Sequence, residues 1–267
     1  MIKVTKVEIP GLPASRERRM YVYTPKDYEK SDRRYPVLYM FDGHNVFYDS
    51  HATYGKSWGM KEYLEKTKMP IILAAIECNP DGLVRLSEYS PWDFKIPRRG
   101  EVKGLGKITM DWITGVMKPE VDKAYRTLPD RENTLIAGSS MGGLMSIYAA
   151  VEYNSVFSRA AALSSSFWVS KRGMSDLIRS AEIAEPTKIY MDMGGGEASK
   201  KSPAGRLRLS ETMFNTAKLL TEKGADVAAR VVPGAMHNEA AWEKRIPVFM
   251  DYLFGKNEWK IWHNKMP

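Results

Sequence analysis

The sequence is almost without cysteine, since Cys78 is its single example in 267 residues. One cysteine excludes an internal disulfide and a zinc site built mainly from cysteine, and it fits a reducing compartment. Runs of 18 apolar residues are also missing, and the N-terminus alternates like a strand without the apolar core of a signal peptide. We therefore expect a cytoplasmic protein with no membrane partner, in which Cys78 belongs to the core; a leader removed from the chain is the alternative.

Long basic runs are absent as well, although the formal net charge is +8. Lysine and arginine are scattered in short clusters such as IPRRG and GRLRL, and neither a zinc-finger nor an RNA-binding signature occurs. Such a distribution is typical of a solvated surface, so we expect no nucleic-acid partner. The glycine patterns of Walker A and Rossmann nucleotide sites are missing too, so we expect no nucleotide cofactor.

Short apolar runs rich in Val, Ile, Leu and Tyr predict strands, and most of the later runs do not alternate in polarity. Continuous apolar runs indicate strands covered on both faces, as in a parallel sheet between helices. From about Ile108 the runs alternate with segments of helical spacing, which predicts a doubly wound α/β sheet with an antiparallel N-terminal edge. No repeat, linker or composition shift divides the chain, so we expect one domain over residues 1–267. The predicted strands are RRMYVYTP, YPVLYMFDG, PIILAAIECN, NTLIAGSS, SRAAALSSS, TKIYMDMGG and DVAARVVPG.

The stretch from Glu77 to Lys107 has little periodicity and many turn residues. We expect it to form a loop layer over the ends of the strands, where ligands bind in open α/β sheets. Its aromatic residues Tyr89 and Trp92, with Trp168 after a later strand, are candidate substrate contacts that would suit a catechol, cinnamoyl or sugar group. The alternative is that these aromatic side chains pack in the core.

Gly138-Ser139-Ser140-Met141-Gly142 fits the pattern G-x-S-x-G, and it lies between a predicted strand and a predicted helix. This is the context of a nucleophile elbow, in which small flanking residues allow a strained turn that lifts a serine hydroxyl above the sheet. The pattern makes Ser140 the candidate nucleophile, because Ser139 has the wrong offset. The backbone N–H of Met141, at a helix N-terminus, would point at a developing oxyanion. A plain turn between strand and helix is the alternative.

A serine hydroxyl needs a base and an orienting carboxylate to become a nucleophile near neutral pH. Two of the four histidines precede the serine and another lies in the C-terminal tail, whereas His237 lies in a loop between a predicted strand and a predicted helix. The order serine, acid, histidine of α/β-hydrolases therefore points to His237 as base. Glu197, after the glycine turn GGG, is the favoured acid, and Asp192, within the preceding strand, is the alternative.

A second oxyanion donor usually comes from the loop after an earlier strand. The run YPVLYMFDGHN provides such a loop, and Gly43 permits its sharp exit from the strand. The backbone N–H of His44 is therefore the candidate partner of Met141. An ordinary turn is the alternative for this segment.

Taken together, five stretches resemble the putative-esterase family of α/β-hydrolases, which contains esterase D (S-formylglutathione hydrolase), feruloyl esterases, enterobactin-type siderophore esterases and the mycolyltransferases. The resemblance covers nearly the whole chain and implies the α/β-hydrolase fold, with the same roles for Ser140, His237, Glu197, His44 and Met141. Many relatives have DGQN where this chain has DGHN, and their acid varies in type and offset. The five stretches are YMFDGHNVFYD, LSEYSPW, VDKAYRTLPDRENTLIAGSSMGGLMSIYAA, KIYMDMGGGE and GAMHNEAAW.

These residues predict a serine carboxylic ester hydrolase that works through an acyl-enzyme. The expected substrate is a small-molecule or carbohydrate-linked ester: a feruloyl or other acyl carbohydrate ester, a siderophore ester or a small acyl ester. No metal or organic cofactor is expected, because a triad and an oxyanion hole suffice. Two alternatives stay open: an acyltransferase of the mycolyltransferase type, in which an alcohol replaces water, and a non-catalytic binding protein with this fold.

Overall fold

The computed structural model describes residues 1–13, 17–30, 32–197 and 203–255. Ten strands occur within these ranges: β1 Ile2–Glu8, β2 Glu17–Tyr23, β3 Val37–Met40, β4 Ile72–Ile76, β5 Phe94–Ile96, β6 Gly100–Val102, β7 Thr134–Ser139, β8 Arg159–Leu163, β9 Lys188–Gly194 and β10 Asp226–Val232. The α-helices of the same ranges are α1 Met60–Thr67, α2 Gly82–Glu88, α3 Gly106–Trp112, α4 Lys118–Ala124, α5 Met141–Glu152, α6 Lys171–Ser180, α7 Pro203–Glu222, α8 Glu239–Glu243 and α9 Ile246–Phe254.

Eight of the described strands form one sheet in the order β1-β2-β4-β3-β7-β8-β9-β10. The six strands from β4 to β10 in this order run parallel, whereas β1 pairs antiparallel with β2, and β2 with β4. The predicted parallel sheet with an antiparallel N-terminal edge is therefore confirmed. All seven predicted strands lie in this sheet. Five of them, β3, β4, β7, β8 and β9, are almost entirely buried, as continuous apolar runs indicate, whereas β2 and the edge strand β10 are only partly buried.

Strand β4 shows how the two faces of the sheet are covered. Ile72, Ala74 and Ile76 belong to one buried apolar cluster, and Leu73 and Ala75 belong to another on the opposite face. Side chains alternate between faces along a strand, so an unbroken apolar sequence is what burial on both sides requires. The larger cluster includes residues of α3, α5, α6 and α7, and the smaller one includes residues of α1 and α9.

The segment from Glu77 to Lys107 contains regular secondary structure. The prediction of an irregular loop layer is wrong in this respect. It contains helix α2 and a small antiparallel hairpin of β5 and β6. Asp81 caps α2, since its Oδ1 accepts from the backbone N–H of Leu83 at 2.8 Å and of Val84 at 3.3 Å. Helix α2 spans seven residues, and β5 and β6 span three residues each. Elements this short do not establish a recognisable hydrophobic period in the sequence.

Among the described residues, no helix combines the length and the apolar character that crossing a membrane requires.

Candidate active site

Ser140 occupies the turn between β7 and α5 with φ 58° and ψ −119°. Residues other than glycine rarely adopt a positive φ, and such strain costs about 1–3 kcal/mol. Hydrogen bonds from neighbouring segments hold the turn: the Ser140 N–H donates to the Leu163 carbonyl at 2.9 Å, and the Ser140 carbonyl accepts from the Ser166 N–H at 3.0 Å. The strand end, the turn and the helix start thus form the geometry of a nucleophile elbow.

The two glycines of the G-x-S-x-G pattern are required by close backbone contacts. A Cβ added to Gly138 would lie 2.7 Å from the carbonyl carbon and oxygen of Gly142. A Cβ added to Gly142 would lie 2.9 Å from the Cβ of Phe41, the residue that follows β3. The elbow therefore packs directly against the loop that follows β3, which carries the candidate oxyanion donor.

His237 and Glu197 contact each other, with Nδ1 of the imidazole 2.9 Å from Oε2 of the carboxylate. The Glu197 side chain is buried, whereas that of His237 is 43% exposed. Burial alone would raise the pKa of Glu197, but hydrogen bonds from His237, Ser164 and the Gly194 N–H lower it overall. Because an ionised carboxylate only accepts, Nδ1 is assigned as the donor, which leaves Nε2 free to act as a base.

Asp192 lies behind this pair rather than in contact with the histidine. Its carboxylate is fully buried and accepts hydrogen bonds from Arg245 Nη1 at 2.7 Å and from the Tyr190 hydroxyl at 2.8 Å. Burial raises the pKa of Asp192, and the charge of Arg245 acts in the opposite direction. Of the two candidate acids, the structure brings Glu197 to His237 and pairs Asp192 with an arginine.

The loop after β3 is fixed by a buried ion pair. Asp42, with φ 55°, accepts from Arg85 Nε and Nη2, both at 2.7 Å, and its N–H donates to the Tyr89 hydroxyl at 3.1 Å. Burial alone would raise the pKa of the Asp42 carboxyl, but the guanidinium holds it below its ordinary value. A Cβ on Gly43 would come within 3.0 Å of the β4 backbone, so this position needs glycine. These contacts set the position of the His44 backbone.

Ser140, His237 and His44 line one cavity of about 540 Å³. Its wall combines polar and apolar surface, and the His44 imidazole forms a hydrogen bond with the Thr53 hydroxyl at 3.0 Å. Burial lowers the pKa of His44, which favours its neutral form near pH 7. The remaining lining residues are Asp42, Asn45, Thr53, Tyr54, Cys78, Asn79, Pro80, Gly82, Arg85, Ser139, Asn238, Glu239 and Trp242.

The three aromatic residues expected to contact substrate do not line this cavity. Tyr89 is 1% exposed and supports the loop at Asp42. Trp92 packs edge-on against Tyr148 at 6.0 Å, and Trp168 packs against Phe94 at 5.7 Å. Packing therefore describes Tyr89 and Trp92, whereas Trp168 is 50% exposed, and its contact with substrate stays a prediction.

The cavity instead has aromatic residues that sequence reasoning missed. Tyr54 is 83% exposed at the cavity, and Trp242 packs edge-on against His237 with ring centroids 5.1 Å apart. Trp242 lies five positions after His237, and this short separation in the sequence could have identified it as a residue of the site. No comparable sequence signal marks Tyr54, because it lies in an irregular segment far from the elbow.

One group of side chains within the described residues has the donor types and spacing for a metal ion. Single donor atoms of Asp42, His44 and Cys78 all lie within 4.8 Å of one another. Both oxygens of Asp42 are already held by Arg85, whose positive charge opposes a second cation. Burial also raises the pKa of the Cys78 thiol, which disfavours the thiolate that binds metals.

The glycine turn after β9 provides a test of the contact between the acid and the histidine. A Cβ on Gly194 would lie 2.2 Å from the Ala235 carbonyl oxygen and 2.6 Å from Glu197 Oε1. We expect Gly194→Ala to lose about 1–3 kcal/mol of stability and at least about tenfold in esterase kcat, because the turn must shift away from the histidine loop.

Gly195→Ala is the matched control, since its added Cβ would meet nothing closer than 3.4 Å. Thermal melts and kcat values of the two variants are the measurements. Equal behaviour of both variants would contradict the requirement for close approach at Gly194.

The family model described as putative esterase matches residues 14–252. The chain is 25% identical over 247 residues to a Bacillus subtilis protein described as uncharacterized protein YbbA, covering 90% of this chain and 94% of that protein. An IroE-like serine hydrolase from Shewanella oneidensis superposes with a TM-score of 0.74 at 19% identity, over 95% of this chain and 79% of that one. The siderophore hydrolase EstA from Aspergillus nidulans superposes with a TM-score of 0.71 at 16% identity, over 96% of this chain and 95% of that one.

Proposed function

Because the chain belongs to the putative esterase family of α/β-hydrolases and is a carboxylic ester hydrolase, we propose that it works through an acyl-enzyme formed on Ser140. His237 is the general base and Glu197 is the acid of the triad. The observation that carries this proposal is the 2.9 Å contact between Glu197 and His237 at the cavity that the strained Ser140 also lines.

The reaction begins when the Ser140 hydroxyl turns from its 3.3 Å contact with Ser166 Oγ toward Nε2 of His237. The oxygen attacks the ester carbonyl while the imidazole takes its proton, and the imidazolium is stabilised by Glu197. His237 then gives this proton to the leaving alkoxide, and the C–O bond of the ester breaks. Water attacks the acyl-enzyme by the same route, which releases the acid and restores the serine.

The backbone N–H groups of His44 and Met141 are the oxyanion donors in this mechanism. Met141 is the first residue of α5, and His44 lies in a short 3₁₀ turn, so both belong to helix starts, where N–H groups lack intrahelical acceptors. Gly142 packs against Phe41, which brings these two segments together. Donors fixed in this way stabilise the charge that develops on the carbonyl oxygen.

The proposed substrate is an ester with hydroxyl or amide groups on a moderately sized acyl or alcohol part. Support comes from a cavity of about 540 Å³ whose wall carries Asn45, Asn79, Asn238 and Arg85 beside the aromatic Tyr54. Feruloyl and acyl carbohydrate esters, siderophore esters and small acyl esters are all compatible with this chemistry. Among the similar proteins, EstA is described as a siderophore hydrolase.

A substrate panel tests the proposal directly. It contains p-nitrophenyl esters of increasing acyl length, a feruloyl ester and a catecholate trilactone, with and without an added alcohol acceptor. We expect hydrolysis, with one serine per chain labelled by a fluorophosphonate and mapped to Ser140. Labelling elsewhere would contradict the assignment, and ester products formed only with the alcohol would instead identify an acyltransferase.

A further inference from the structure

Ser164 is the centre of a hydrogen-bond network behind Glu197. Its hydroxyl oxygen accepts from Trp242 Nε1 at 3.0 Å and from Arg245 Nη1 at 3.1 Å. A hydroxyl has one proton to donate, and here that proton goes to Glu197 Oε1. The network therefore determines the orientation of the carboxylate that contacts His237.

Arg245 connects this network to both sides of the catalytic pair. Its Nη1 donates to Asp192 Oδ1 at 2.7 Å, its Nη2 donates to the Met236 carbonyl at 3.3 Å, and Nη2 lies 3.6 Å from Glu197 Oε1. Met236 precedes the histidine in the chain, so one guanidinium contacts the acid and the histidine loop together. Arg245 itself is 1% exposed.

The charges in this buried group are unequal. Arg245 carries one positive charge, whereas Asp192 and Glu197 carry two negative charges beside it. A lone guanidinium behind Glu197 would weaken the attraction of that carboxylate for an imidazolium, because like charges repel in a medium that screens them poorly. Asp192 compensates this charge, which leaves the group with a net charge of −1 when the imidazole is neutral.

We propose that Asp192 and Arg245 are a pair of positioning residues that hold Glu197 in place and set the protonation equilibrium of His237. Asp192 is thus neither the triad acid nor a simple core residue. Arg245 orients the acid and the histidine loop, and Asp192 cancels the unfavourable charge that this orientation introduces. This inference rests on the proposed function, since it deepens the role of the same site.

Other charged groups also face the histidine and remain unchanged in the test. Glu239, at the start of α8, interacts electrostatically with His237, and burial raises its pKa. Asp42 and Arg85 face the histidine across the cavity as an ion pair, together with His44. Beyond Asp192, Arg230 Nε donates to the Tyr190 hydroxyl at 2.8 Å, and Tyr190 in turn donates to Asp192.

Asp192→Asn and the double variant Asp192→Asn/Arg245→Met separate a charge effect from a structural one. The single variant leaves Arg245 uncompensated, so we expect the titration midpoint of His237 to lie below that of the native chain and kcat to fall several-fold. The double variant removes one charge of each sign and restores the net charge, so its midpoint should return toward the native value, while kcat stays low because Arg245 no longer holds Glu197 and the histidine loop. Arg245→Met alone is avoided, because it leaves a buried carboxylate unpaired.

The measurement is an NMR titration of the full chain with ¹³C-labelled histidine, in which the His237 signal is assigned by its loss in His237→Gln. With four histidines in the sequence the spectrum is simple. The acid limb of the kcat/KM profile against pH should move in parallel. A double variant that lies further from the native midpoint than the single one, or an Asp192→Asn midpoint that is unchanged, would overturn the inference.

The NMR arm does not depend on catalysis, so it is repeated in Ser140→Ala. Loss of activity in Ser140→Ala together with unchanged midpoints in the Asp192 variants would leave the proposed function standing and remove the inference. Full activity in Ser140→Ala would remove the proposed function, whatever the titrations give.

Discussion

Ser140→Ala is expected to lower kcat for a p-nitrophenyl ester by about 10⁴-fold or more, because losing the nucleophile removes the covalent route altogether. KM should change little, since the cavity wall and the oxyanion loop are untouched. The fold should also persist, as alanine is the smaller side chain and the turn is held by backbone hydrogen bonds to Leu163 and Ser166. Initial rates and a thermal melt of the purified variant are the measurements.

Ser139→Ala is the matched control for this prediction. Ser139 is the adjacent serine at the end of β7, is 5% exposed, and has the wrong offset in the G-x-S-x-G pattern. The Ser139→Ala variant should still be labelled by a fluorophosphonate at Ser140, and it should still form the acyl-enzyme. If Ser139→Ala lost the label and Ser140→Ala kept it, the nucleophile would have to be reassigned.

Glu197→Gln is expected to lower kcat by about 10²- to 10⁴-fold with little change in KM. An amide at this position no longer stabilises the imidazolium, and its NH₂ group can force the imidazole into the tautomer whose Nε2 carries the proton. That tautomer cannot accept the proton of Ser140. Gln is close to Glu in size, so the contacts with Ser164 and the Gly194 N–H keep their geometry.

Asp192→Asn is the comparison variant for this second prediction. Asp192 contacts Arg245 and Tyr190 rather than the histidine, so we expect a kcat loss of about tenfold or less. The larger cost should fall on stability, since weakening a buried ion pair at one partner costs up to about 3–5 kcal/mol. Rates measured well below the melting temperatures of both variants separate the loss of kcat from the loss of stability. A larger kcat loss in Asp192→Asn than in Glu197→Gln would identify Asp192 as the triad acid instead.

Local sequence pattern was sufficient for the sheet and for the elbow. Apolar runs predicted seven strands of the central sheet, and five of these strands are almost entirely buried, where a strand shows no alternation. The glycines around Ser140 were equally informative, since each one meets backbone or a Cβ within 3 Å. Helix α2 and the β5–β6 hairpin escaped prediction because elements of this length hold too few residues to establish a period.

The exposure of the side chains beside the elbow could not be predicted in the same way, because it depends on the three-dimensional arrangement. Tyr89 and Tyr54 are both tyrosines in irregular stretches of the sequence, yet Tyr89 is 1% exposed under the oxyanion loop and Tyr54 is 83% exposed at the cavity. Residue type says what a side chain can do, but its direction follows from the packing of segments that are distant in the chain.

The sequence by itself determined the fold class, the strained turn at Ser140 and the position of His237 in a late loop. Only the tertiary structure decided which carboxylate contacts the histidine, because Asp192 and Glu197 lie close together in the chain and either one fits the order serine, acid, histidine. The reversal at the glycine turn after β9 brings Glu197 to a residue 40 positions away, while the strand directs Asp192 into the core toward Arg245. That difference arises from side-chain direction and long-range packing, which a local pattern does not contain.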